Sequence, residues 1–180
     1  MSQPAAPAEA GDLCRDCGLC CNGAMFDFLL LEPDELGLLG AGMTRDSTRA
    51  SAAAQPCPSA GKDGCTIYER RPRACRAYFC RLLRSVESGA VSHQDAKRLI
   101  VELLDVVERL EGGLAPGESL ASIRKAWQSN PEGWRQGDPS GLALRGQRHL
   151  LLTALNRQLD AHFRSPDQQQ THFKVDDNQP

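Results

Sequence analysis

Eight cysteines constrain this chain of 180 residues more than any other feature, because all of them fall within its first 80 positions. They form two runs. The first is Cys14, Cys17, Cys20 and Cys21, spaced by two residues and ending in an adjacent pair. The second is Cys57, Cys65, Cys75 and Cys80, more widely spaced. Thiolates this close in sequence repel one another unless a cation holds them, and zinc or an iron–sulfur cluster supplies that cation. A two-residue gap lets a turn of backbone wrap the ion. Gly18 suits such a turn, because glycine tolerates positive φ and a close approach of backbone to sulfur.

The alternative use of cysteine is the disulfide. Residues 1–11 carry no basic segment followed by an apolar one, so they do not read as a secretory signal. A chain kept in the reducing cytoplasm uses its cysteines for metal or chemistry rather than for cross-links. The three-cysteine tripod at Cys14, Cys17 and Cys20 is the one found in bacterial ferredoxins, which tilts the expectation toward iron–sulfur, with zinc as the alternative. Cys21 departs from that pattern. Adjacent cysteines seldom ligate one ion in good geometry, so Cys20 and Cys21 are candidates for different centres. A helix opened by Pro72 is expected to carry both Cys75 and Cys80. Five residues apart on an ideal helix, these point about 140° from each other and serve separate sites or bracket the helix start. Eight thiolates suit two four-cysteine sites, or one cluster with a smaller second site.

Charge follows the cysteines. Net charge over the whole chain is -2, which excludes a strongly basic nucleic-acid binder, but residues 57–84 hold 7 basic and 2 acidic side chains. The arginines are Arg70, Arg71, Arg73, Arg76, Arg81 and Arg84, with Tyr78 and Phe79 among them. A four-thiolate centre carries a net charge near -2, and guanidinium groups beside it offset that charge. Metal ions, rather than nucleic acid or a membrane, are therefore the expected partners. No apolar run reaches the 18 residues a membrane span needs.

The segment CRDCGLCC, followed by CPSAGKDGCTIYERRPRACRAYFC, resembles the YkgJ-type cysteine-cluster family, defined by a CxxCxxCC signature and described as a zinc- or iron-chelating domain. The likeness covers residues 14–80: Cys57, Gly64-Cys65, Ile67-Tyr68, Arg71-Pro72, Cys75-Arg76, Tyr78 and Cys80 match the downstream pattern, and all eight cysteines have a counterpart. It implies that all eight are metal ligands. Arg71 and Arg76 flank motif positions and are expected to support the centre, and Tyr68 to donate to a sulfur or to pack. The family also resembles part of the flagellin lysine N-methylases. That implies an iron–sulfur enzyme as an alternative to a structural zinc interaction module, although no Gly-rich cofactor loop follows a strand here.

The second half reads as helices. Ser92 is placed to cap a helix, with Asp95 three residues on. Ala96, Leu99, Ile100, Leu103, Leu104, Val107 and Leu110 then form one apolar stripe at helical period, ended by Gly112-Gly113. A shorter helix is expected over 118–128, with Leu120, Ile123 and Trp127 on one face. A third runs over 142–163, with Leu144, Leu151, Leu152, Leu155, Leu159 and Phe163 inward. Trp127 and Trp134 are expected to pack down the intervening loop. His93, His149, His162 and His172 are scattered, and none reads as a ligand. The fold class is mainly α: a small α-rich domain whose irregular cysteine layer packs on C-terminal helices. Its parts are a flexible leader at 1–11, the cysteine region at 12–84, a helical region at 85–164 and a disordered tail at 165–180.

Overall fold

The computed structural model describes residues 8–40, 52–61, 64–130 and 142–166. Among these residues there are six α-helices and two small antiparallel sheets, so the chain is mainly α. Trp134, His172 and the tail from residue 167 lie outside the described residues. No described helix is long and apolar enough to cross a membrane.

Helix α1 (Ala8–Cys17) begins inside the stretch expected to be a flexible leader. A three-residue strand β1 (Phe28–Leu30) follows, then a single 3-10 turn at Pro33–Glu35. Strand β2 (Ala52–Ala54) pairs with β1 in the register Phe28–Ala54, Leu29–Ala53 and Leu30–Ala52. The hairpin of β3 (Ala60–Gly61) and β4 (Gly64–Cys65) comes next. Helix α2 (Arg73–Ala77) is short, and α3 (Arg81–Glu87) starts just beyond it.

The three long helices follow their sequence signals. α4 (His93–Glu111) starts at Ser92, whose hydroxyl accepts from the Asp95 amide at 3.1 Å, and ends at Gly112. Ala96, Ile100, Leu103, Val107 and Leu110 of its stripe are buried, with Leu99 and Leu104 half-buried at its edge. α5 (Leu120–Ser129) is capped by Ser119 and buries Leu120 and Ile123. α6 (Leu142–His162) buries Leu151, Leu152, Leu155 and Leu159, with Phe163 just past its end. Leu144, expected inward, is 51% exposed, because the first turns of α6 run past the edge of the core. His149 accepts at Nδ1 from the Trp127 indole at 2.9 Å, which pins α6 to α5.

α4 packs on α6 and on α1, and the core they share takes in Leu13, Leu19, Met25, Leu82 and Leu83 from the cysteine region. A second, smaller cluster of Leu31, Leu39, Ala53 and Ile67 lies under the two sheets.

Candidate metal centre

Cys14 and Cys17 stand three residues apart in the last turns of α1, so both thiols share one helix face. The first two-residue gap is thus helical, not the wrapping turn expected from spacing. The turn comes next. Gly18 has φ +64, the left-handed geometry that ends a helix at little cost only for glycine. Its carbonyl accepts from the Cys21 amide at 2.8 Å and from the Asn22 amide at 3.0 Å, and the Leu19 carbonyl accepts from Met25 at 3.1 Å. This tight reversal sends Cys20 and Cys21 to different surroundings. The Cys20 sulfur lies 3.8 Å from Met25 Sδ. The Cys21 carbonyl accepts from the Cys57 amide at 2.7 Å, which brings the second cysteine run to the first.

Gly64 sets the next contact. A Cβ at this position would lie 2.7 Å from the Arg15 carbonyl oxygen, so only glycine lets the β3–β4 hairpin press on α1. Cys65 follows directly and is held beside the helix. Cys75 sits in α2, whose first amide, that of Arg73, donates to Glu35 Oε1 at 2.8 Å. Glu35 is buried, and its other oxygen accepts from the Glu32 amide at 3.1 Å. Nothing in the sequence pattern marks this carboxylate as a strut between two segments.

Cys80 is not on the helix of Cys75. The chain turns extended at Tyr78, whose ring meets Phe26 edge-on at 5.0 Å, and Cys80 becomes the residue before α3. The Arg81 amide donates to the Phe163 carbonyl at 2.9 Å, so the end of α6 fixes this corner.

Two neighbourhoods result. Cys14, Cys17, Cys20 and Cys80 line a small apolar cavity of about 30 Å³ with Leu13, Met25, Leu82, Leu83 and Phe163. Cys57 and Cys65 pack against the second apolar cluster instead. All eight cysteines are free thiols of intermediate exposure.

Burial is the main force on their acidity. It pushes Cys17 up to about 12, with the charges of Cys80 and Cys14 adding to it and the Leu19 amide opposing. It raises Cys20 well above its ordinary value, with Cys17 and Cys80 the next contributors. It raises Cys21 too, and there the nearest thiolate charges are those of Cys57, Cys75 and Cys65. Cys75 rises to about 12 through burial, then Cys57 and Cys65. Cys57 and Cys80 rise for the same first reason, each opposed by backbone amides. Cys14 is raised by burial, pulled back by Arg71 and Tyr68.

Arg71 stacks on the Tyr68 ring with its guanidinium carbon 3.8 Å from the ring centre, and donates to the Tyr68 carbonyl at 2.7 Å. Its charge bears on Cys14 and Cys75. Tyr68 donates its hydroxyl to the Gly11 carbonyl at 2.9 Å and lies in hydrogen-bonding reach of the Cys14 thiol. It therefore packs on α1 and bears on the acidity of Cys14. Arg76 is exposed, because its helix turns Cys75 rather than Arg76 inward. Arg15, which the motif does not single out, joins the stack 4.7 Å from the same ring. Arg73 pairs with Asp34 at 2.9 Å, and Arg84 donates to the Phe79 carbonyl. An open cleft of about 580 Å³ runs past Arg15, Cys65, Tyr68, Glu69 and Arg70.

A further tie was invisible in the sequence. Arg124 of α5 is fully buried and donates from Nε to the Gly23 carbonyl at 3.1 Å, with a second bond to the Asp27 carboxylate. It clamps the helical half onto the turn that carries Cys20 and Cys21. An arginine on an amphipathic helix reads as solvated surface, so nothing in the pattern marks it.

Residues 13–97 match the family model CxxCxxCC, described as "Putative zinc- or iron-chelating domain". Over this region the chain is similar to the CxxCxxCC domain. The match includes all eight cysteines and extends past the motif residues, through α3 and into the first turn of α4. No curated protein and no solved structure matches the chain. The CxxCxxCC description supports metal binding, and the donor chemistry agrees with it: eight free thiols suit soft or borderline cations such as zinc and iron. The fit is one of donor type and neighbourhood. Among the described residues, no group of three His, Cys, Asp or Glu side chains forms a ready-made ligand set. The charge effects between thiols reach farther than bonding distance, so both observations hold: the sulfurs are neighbours, and ligation requires them to close in.

Proposed function

We propose that this is a cytoplasmic metal-binding protein that holds iron, as an iron–sulfur cluster, or zinc through Cys14, Cys17, Cys20, Cys21, Cys57, Cys65, Cys75 and Cys80. The observation that carries the reading is the gathering of eight free thiols in a partly buried layer, where burial and mutual charge oppose ionisation. A bound cation reverses that balance, because the ligating form of cysteine is the thiolate and binding releases its proton. Arg71 supplies positive charge beside Cys14 and Cys75, and Tyr68 a hydroxyl beside Cys14. An iron–sulfur cluster so held supplies one-electron chemistry, whereas closed zinc supplies cohesion alone.

A second reading, a structural zinc module that binds partners, is favoured by the enclosure of Cys14, Cys17, Cys20 and Cys80 among leucines and Phe163. Anaerobic purification, elemental analysis, acid-labile sulfide and a visible spectrum separate the two. Iron with sulfide and a broad band near roughly 400 nm supports the cluster and directs the search to redox or methyl-transfer chemistry. Colourless protein with about one or two zinc ions per chain supports the module. Protein that takes up neither metal refutes both.

A further inference from the structure

The chain order of the cysteines hides a division that the fold makes visible. The Gly18 turn separates the adjacent pair: Cys20 joins the wall of the apolar cavity with Cys14, Cys17 and Cys80, while Cys21 is bonded through its carbonyl to the Cys57 amide. The same four cavity thiols pack against the large helical core, and Cys57 and Cys65 against the small cluster under the sheets. The break of helix at Tyr78 then parts Cys75 from Cys80. The surroundings of the two sets differ in access. Around the cavity stand Leu13, Leu82, Leu83, Ile100 and Phe163, so these sulfurs face a largely apolar wall. Cys65 instead lines the open cleft between Arg15 and Arg70.

We infer that the eight cysteines form two separate four-thiolate metal sites: an enclosed one of Cys14, Cys17, Cys20 and Cys80, which keeps its ion, and an outer one of Cys21, Cys57, Cys65 and Cys75, which exchanges its ion through the cleft at Cys65. This rests on the metal-binding reading above and deepens it. Four thiolates satisfy one tetrahedral zinc or iron ion without an external ligand, so each set is complete in itself. The sets are interleaved along the chain. Three residues of the enclosed site precede Cys21, and its fourth follows the last residue of the outer site. Cys14 bears on both sets, since it lines the cavity while the charge of Cys65 also acts on it. The outer site is therefore the one suited to handing an ion to, or taking it from, an external thiol or chelator.

The test uses the full chain, refilled anaerobically with zinc, and follows metal release to EDTA. About two ions per chain are expected, leaving in two phases whose rates differ by roughly tenfold or more. Iodoacetamide added after the fast phase, with the labelled thiols located by mass spectrometry, should mark Cys21, Cys57, Cys65 and Cys75 and spare the other four. Cys75→Ser should retain one slowly released ion, and Cys80→Ser one quickly released ion. Release in a single phase, or labelling of Cys20 together with Cys21, overturns the division. The labelling is read on the unaltered chain, so it decides the matter even where a serine variant fails to fold. A chain that binds no zinc or iron at all refutes the metal-binding reading itself, and the division with it.

Discussion

Helices α4, α5 and α6 meet over a continuous apolar core, in which Leu152, Leu155 and Leu159 are fully buried. The cysteine layer has Leu31, Leu39, Ala53 and Ile67 as its own buried cluster, beneath strands of two and three residues. Each buried leucine contributes about 1.5–3 kcal/mol through removal from water, so the helical part has a source of cohesion that needs no metal. Two-stranded sheets of this size cannot, since an isolated hairpin is marginal in water. The difference teaches that one chain is stabilised by two kinds of cohesion. Burial of carbon holds the second half. The first half is held by its attachment to that core and, on the proposed reading, by metal–sulfur bonds.

The strongest way to break this comparison is to remove the metal. Under reducing conditions a chelator should melt the loops around Cys57, Cys65 and Cys75 while α4–α6 persist; structural zinc is worth about 10 kcal/mol or more in small domains. Circular dichroism should keep most of its helical signal while limited proteolysis cuts within the cysteine region. Loss of helix in step with metal would show a single kind of cohesion. Next in size is Leu155→Ala, which should cost about 3–4 kcal/mol in chemical denaturation, by the same amount with and without metal. Gly64→Ala should cost about 2 kcal/mol, because the added methyl meets the Arg15 backbone at a positive φ. Its loss should appear in the loaded protein as weakened zinc retention, read by chelator competition, with the melting of the helices unmoved. Ser92→Ala should cost about 1 kcal/mol through the lost α4 cap, seen in thermal unfolding and not in metal affinity.

The smallest effect in ordinary buffers is that of pH on the metal-free chain. Thiols whose pKa is raised in the fold favour the folded state while they stay neutral. Their contribution is complete below the ordinary value of 9.0 and is lost as pH climbs toward about 12, the position of Cys17, which lies against the helical core. Melting temperatures should therefore be flat from pH 7 to 8 and fall above roughly 9. An unchanged melting temperature from roughly pH 9 to 11 would contradict the burial of the thiols.

Sequence reasoning reached the helices more easily than the layer above them. The α4 stripe is periodic and capped, and a periodic pattern specifies both element and face. The family signature located the cysteines, and their adjacency at Cys20 and Cys21 foretold different surroundings. What the sequence did not show depends on distant partners. Ala52, Ala53 and Ala54 have no preference for strand and form one because Phe28–Leu30 lies opposite. Cys80 leaves the helix of Cys75 because Tyr78 is drawn to Phe26. Arg124 and Glu35 are charged residues whose roles appear only when a carbonyl or an amide from another segment reaches them. Leu144 kept the helical period but not the burial, since the stripe of α6 outruns the core it faces.

The bond from the Arg81 amide to the Phe163 carbonyl has a consequence for how the protein is made. Cys14, Cys17 and Cys20 emerge from the ribosome early, yet the cavity they border is walled by Phe163 and completed by Cys80. A nascent chain presents three unshielded thiols until α6 has been synthesised and docked. The enclosed pocket is thus a late product of biogenesis, and an ion inside it is sealed in by the folding of the last helix.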